Sequence, residues 1–235
     1  MKLKHLLAHD FIQDFQTLLS TEFEIELFEA SLRNYCSHGN PLRFHNFAFS
    51  MRELVLQLID SRAPDREVVQ AVWYERESDT HRVTRRQKLK YCAQGFLSDA
   101  YLNEYVLNDL NESIKAYLKE FNFFNKYTHI SEKHLRASPK KFYADLKYII
   151  GRSKEVIEQI DSLENMVMES VPETLQGTMF DSIINSFPGE LSILAHNVLV
   201  EHVSPEEIEV EHLTREGIVI CVTGTVYVTQ EYGRG

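Results

Sequence analysis

The sequence predicts an α+β protein, predominantly α-helical, with a small C-terminal antiparallel β meander. Three observations predict it. Glycine (9) and proline (6) are sparse in 235 residues, which suits long helices better than a many-stranded sandwich. Apolar residues recur at three- and four-residue spacing along most of the chain. From residue 207 the period shortens to two, with β-branched residues at alternate positions. The expected division is a helical domain over 1–203 and a β appendage over 204–235, packed on the helical body or on a partner.

Leu3, Leu6, Leu7, Phe11, Phe15, Leu18 and Leu19 give the first helix its spacing. Ser20 or Thr21 caps the second, whose early Glu22, Glu24 and Glu26 suit a helix N-terminus; it stops at Gly39-Asn40-Pro41. Pro41 suits the first turn of a third helix through Phe44, Phe47, Met51, Leu54, Leu58 and Ile59. Pro64 opens a fourth, ending near Tyr74, and residues 75–82 form a polar loop. Thr84 caps a helix over 85–97, closed in the Gly95 region, and 101–121 is helical. Residues 139–170 form one long helix or two, opened by Ser138-Pro139, with Gly151 at any joint. Shorter helices follow over 172–185 and 189–200. Residues 207–213 and 217–231 then alternate as two or three strands, with Gly217 and Gly224 at turns. Two strands alone are marginal in water, so they need a body to pack on.

No run of 18 apolar residues is present, so no membrane helix is expected. The first residues, MKLKHLLAHDF, lack a cleavage site and do not read as a signal peptide. Three scattered cysteines, Cys36, Cys92 and Cys221, fit a reducing cytoplasm and make no metal motif. No cofactor is implied. Charge is segregated: residues 1–81 hold 8 Lys/Arg against 13 Asp/Glu, 82–154 hold 15 against 7, and 155–235 hold 2 against 15. A basic middle suits a polyanion such as RNA or DNA. It also suits internal neutralisation by the acidic ends.

Two basic segments carry candidate chemistry. In RVTRRQKLK (82–90), Arg82, Arg85, Arg86 and Lys90 fall on one side of a helix, with Lys88 elsewhere. Arginine forks match phosphate oxygens, and a capped helix start adds backbone donors. The alternative is a solvated face paired with Glu75, Glu77 and Asp79. In FNFFNKYTHISEKH (121–134), aromatic residues alternate with Lys126, His129, Lys133 and His134, a pattern that stacks bases or, with Phe123 and Phe124 in the core, anchors a turn. Imidazole suits acid–base work, which makes His129 a candidate beside its structural role.

Other patterns are incomplete. RNYCSH (33–38) fits the Arg-Asn-x3-His of HEPN-type ribonucleases, and RESDTH (76–81) repeats the Arg-to-His spacing. No Glu-x-Lys accompanies Pro64-Asp65, so the metal set of restriction-type nucleases is absent. His5, His9 and Asp10 lack a fourth metal ligand. Nucleotide and hydrolase loops are missing.

Four stretches together carry a family resemblance: NPLRFHNFAFSMRELVLQLIDSRAPD (40–65), RVTRRQKLKY (82–91), FNKYTHI (124–130) and GTVYVTQEYGRG (224–235). Their order resembles the predicted pPIWI-associating nuclease family of bacterial conflict systems, found near Argonaute/PIWI-like genes. The resemblance implies defence against phage or plasmid and a nucleic-acid ligand. It places shared functional positions at Arg43, Arg52, Glu53, Arg85, Arg86, Lys126 and His129. Catalysis without Glu-x-Lys is expected to be metal-free, with His129 and Lys126 at its centre. The rivals are a non-catalytic adaptor bound to other defence proteins and a helical homodimer with charge-paired subunits.

Overall fold

The computed structural model describes residues 2–130, 132–135, 138–186, 197–213 and 217–231. The N-terminal helix is two short ones, α1 (Leu3–Leu7) and α2 (Asp10–Gln16), which bury Leu6, Ile12 and Phe15. α3 (Glu22–Cys36) starts at a full capping box: Thr21 Oγ1 accepts the Glu24 N–H at 3.2 Å and the Glu24 carboxylate accepts the Thr21 N–H at 3.1 Å. α4 (Arg43–Arg62) packs on α3 through a continuous apolar face that includes Phe47, Met51, Leu54 and Leu58. α5 (Asp65–Val68) is a single turn after Pro64, and the expected helix to Tyr74 ends early in turns.

α6 (Arg85–Gln94) stops at Gly95, whose φ of 54° suits a residue without a Cβ. A 3-10 turn (Asp99–Tyr101) leads to α7 (Glu104–Phe121), capped by the Asn103 side chain. Tyr101 and Tyr105, counted on the apolar face, are exposed. α8 (Phe123–Thr128) buries Phe124 and Tyr127 against α4, and His45 Nδ1 meets the Tyr127 carbonyl at 3.1 Å. A short α9 (Glu132–Leu135) follows.

α10 (Pro139–Ser186) is one 48-residue helix that touches α2, α4, α6 and α7. It passes through Gly151 and Pro172 without a break. Buried Leu146, Ile149, Ile150, Val156, Ile157, Ile160, Val167 and Val171 keep helical spacing on both sides of Gly151, so packing overrides that weak position. Tyr35 and Phe44 hold its first turn by ring contacts to Phe142, with centroids at 4.7 and 5.0 Å.

The described sheet is a two-stranded antiparallel ribbon, β1 (Asn197–Leu213) with β2 (Ile218–Glu231). It begins inside the span expected to be helical: Asn197–Val200 is strand, and residues 187–196 lie outside the described residues. Ile208, Val210, Ile218, Ile220 and Val222 share one face and pack on the helical core. Glu207, Glu209 and Cys221 occupy exposed positions. Gly224 is not at a turn. It sits within β2 opposite Pro205, where a Cβ would come within 2.4 Å of the Ser204 carbonyl oxygen. The ribbon therefore depends on glycine for backbone approach at an irregular point of its register.

Candidate nucleic-acid interface

Thr84 starts α6 with a second capping box. Its hydroxyl accepts the Gln87 N–H at 3.2 Å, and the Gln87 side chain accepts the Thr84 N–H at 2.9 Å. No acid lies in the first turn; Arg85 and Arg86 put positive charge on the positive end of the helix. One carboxylate answers it from the preceding loop. Glu77 accepts from Thr84 Oγ1 at 2.9 Å and from Arg86 Nη1 at 2.5 Å.

The expected single stripe of Arg82, Arg85, Arg86 and Lys90 is divided. Arg82 precedes the helix, with its carbonyl accepting from Tyr74 Oη and its side chain exposed. Successive helical residues turn by about 100°, so Arg85 and Arg86 face different neighbours. Arg86 and Lys90 line a cleft of about 360 Å³ with Trp73, Glu75, Glu77 and Asp99. Both are engaged there: Arg86 also donates to Asn111 at 2.8 Å, and Lys90 donates to Asp99 at 2.8 Å and lies 4.7 Å from the Trp73 ring.

Arg85 and Lys88 instead line a cleft of about 410 Å³ with Glu53, Gln57 and Asp60 of α4, Thr84 and His81. Lys88 donates to Asp60 and Asp65 at 2.7 Å each. Burial opposes its charge, but those two hydrogen bonds and the negative charges of both carboxylates together outweigh it and raise its pKa above the ordinary lysine value. Arg85 is held differently. Its guanidinium carbon lies 4.5 Å from the Phe121 ring centroid, and its pKa is lowered, first by desolvation and then by the charge of Arg52. Tyr117, Asp60 and Glu53 act the other way without reversing the shift. Arg52 pairs with Glu53 at 3.2 Å and faces Phe49, while its Nε is buried without a hydrogen-bond partner among the described residues.

The chain matches the predicted pPIWI-associating nuclease family over residues 16–167, and a second family of that description over 160–235. It belongs to the predicted pPIWI-associating nuclease family. No curated protein and no solved structure matches it significantly. The first match spans both clefts of α6; the second takes in the end of α10 and the ribbon, so one continuous helix joins the two matched segments.

Within this predicted pPIWI-associating nuclease, the remaining candidates sit apart from the Arg85 cleft. Arg43 opens α4, nine residues from Arg52 and so roughly 13 Å along the helix axis. It donates to His38 Nδ1 at 2.5 Å and lies 4.3 Å from the Phe142 ring. Arg33 of the Arg-Asn-x3-His pattern pairs with Glu29 at 3.1 Å. Lys126 and His129 are exposed on α8 and line neither α6 cleft. Lys126 Nζ lies 5.5 Å from the Tyr127 ring, and the His129 N–H donates to the Asn125 carbonyl at 3.3 Å. The side chains of Lys133 and His134 lie outside the described residues.

His5 and His9 are not on one helix, because α1 ends at Leu7 and α2 begins at Asp10. Among the described residues no three His, Cys, Asp or Glu are grouped to hold a metal ion, and no helix is long and apolar enough to cross a membrane. Sequence reading missed His81 and the tie of Lys88 to Asp60. The 85/88 spacing was a usable signal for a shared face; the 28-residue separation of Asp60 from Lys88 was not.

Proposed function

We propose that the chain is the nucleic-acid-directed nuclease of a bacterial antiphage or mobile-element defence system, acts in the cytoplasm, and holds a polynucleotide backbone at the α4–α6 cleft. One observation carries this: the strongest charged neighbour of Arg85 is another cation, Arg52. Like charges that lower each other's stability favour a bound anion, and Arg85 lines the α4–α6 cleft with Thr84, so a phosphate there would meet the guanidinium. Arg86 and Lys90, like Arg52, already have carboxylate partners, and no ion pair of Arg85 is among those described. Arg43, Arg82, Lys126 and His129 are outlying contacts for a strand longer than the cleft. The family name supports nucleic acid as the ligand class.

The test is anisotropy with labelled single-stranded RNA and duplex DNA across a salt series, followed by gel analysis of cleavage with and without magnesium. Binding is expected to weaken as salt rises, since phosphate contacts release counterions. The Arg52→Ala/Arg85→Ala double variant is expected to lose roughly tenfold in affinity, evenly across sequences. Wild-type protein that binds neither polymer at low salt refutes the reading.

A further inference from the structure

We propose that His81 is the catalytic acid–base group of the α4–α6 cleft and that the substrate is RNA, cut by its own 2′-hydroxyl. This rests on the nuclease reading above and assigns its chemistry.

The groups that line the cleft narrow the choice. Glu53 is paired with Arg52, and Asp60 with Lys88. Lys88 is held by two carboxylates, which keeps it charged and unable to accept a proton. Arg85 is a fixed cation near neutral pH. His81 supplies the remaining lining group with acid–base chemistry, an imidazole, and no ion pair to it is among those described.

The loop that carries His81 is built around its backbone and leaves the ring exposed. Arg76 donates to the Ser78 and Asp79 carbonyls at 3.0 and 3.1 Å. Ser78 Oγ accepts the His81 N–H at 3.3 Å. Just beyond, Tyr74 Oη donates to the Arg82 carbonyl at 2.5 Å. The chain on each side of His81 is thus pinned. The Arg76-to-His81 spacing has a physical role: Arg76 shapes the loop that presents the histidine.

One base in a cleft that also presents Arg85 suits RNA, whose nucleophile is already part of the substrate. As O2′ bonds to phosphorus, His81 takes the 2′-hydroxyl proton. The P–O5′ bond breaks, the 5′-oxygen takes a proton from water, and His81 returns its own to water. The products are a 2′,3′-cyclic phosphate and a 5′-hydroxyl. Arg85, which lines the same cleft, faces the charge that builds on the phosphoryl oxygens.

The experiment uses the full chain, a labelled RNA, and the same RNA with 2′-deoxy sugars, all in EDTA. Wild type is expected to cut only the RNA and leave cyclic-phosphate ends. His81→Ala and His81→Gln are expected to cut at least about a hundredfold more slowly, with affinity changed by less than about threefold and circular dichroism unchanged. Wild-type cleavage of the deoxy substrate, or equal cutting by both His81 variants, overturns this inference and leaves the nuclease reading standing. Loss of cutting in His129→Ala with His81→Ala active does the same. Wild type that binds RNA and cuts no polynucleotide under any condition overturns both.

Discussion

The two faces of α6 hold the same kinds of residue and do opposite things with them. On one face Arg86 and Lys90 meet Glu77, Asn111 and Asp99 at 2.5–2.8 Å. On the other, Arg85 lies over Phe121 with Arg52 as its strongest charged neighbour. Lys88 shares the second face but belongs with the first in kind, since it ties α6 to Asp60 and Asp65. A cation with a carboxylate at hydrogen-bond distance holds the fold. A cation whose strongest charged neighbour is another cation is held at some cost, which a bound phosphate would offset. The difference separates candidate phosphate contacts from structural ones where a count of Lys and Arg does not.

Charge inversion on the second face gives the largest expected effect. Arg85→Glu places a carboxylate beside Arg52 in place of a like charge. Affinity for RNA should fall about a hundredfold, since one attraction is lost and one repulsion gained. Stability should change by less than about 1 kcal/mol, because the new carboxylate attracts Arg52, repels Asp60 and Glu53, and gives up the Phe121 contact. Anisotropy and thermal melting of the same preparation measure both. A variant that binds as tightly as wild type removes Arg85 from the RNA interface. One that loses affinity and stability together would make Arg85 a structural residue.

The sequence made the local parts of this contrast legible. Both capping boxes, Thr21 with Glu24 and Thr84 with Gln87, are complete within four residues, so the starts of α3 and α6 could be read directly. The change of period marked the ribbon, because alternation of Ile218, Ile220 and Val222 needs no tertiary information. The start of β1 was not legible: Asn197-Val198-Leu199-Val200 is an apolar run that fits either period. The Arg82–Lys90 stripe failed because the helix begins at Arg85, and because adjacent arginines on a helix diverge. The neutralising partners were hardest to see. Asp60 lies 28 residues from Lys88, and Asp161 lies 99 from Arg62; only folding brings them together. Among the described ion pairs, Arg86, Lys88 and Lys90 meet acids before residue 100, Lys115 and Lys141 meet acids of the middle itself, and Arg152 and Lys154 reach Glu155 and Glu158 at the start of the acidic end.

Lys88→Met tests whether sharing a face with Arg85 implies sharing its role. The variant keeps the apolar stem and removes both ion pairs. Asp60 and Asp65 are half exposed and regain water, so the cost should be about 1–2 kcal/mol rather than that of stranded buried charges. The pH dependence has a definite sign. The folded pKa of Lys88 is raised, so its contribution is fully present below the ordinary lysine value and is lost as pH rises through the folded one. The gap in melting temperature between wild type and variant should therefore hold through neutral pH and close at strongly alkaline pH. A gap that widens with alkali contradicts the clamp.

The smallest effect is expected at Arg86. Arg86→Ala removes the donors to Glu77 and Asn111, all partly exposed, so stability should drop by no more than about 1 kcal/mol. Glu77 keeps Thr84 Oγ1 as a partner, which preserves the start of α6. RNA affinity should change by less than about threefold, because the wild-type guanidinium is already engaged. Measured beside Arg85→Ala, one residue away on the same helix, the pair has a clear failing outcome. If Arg86→Ala weakens binding as much as Arg85→Ala does, then RNA displaces Glu77. The partnered face would then be part of the interface, and pairing in the folded protein would no longer separate structural cations from functional ones.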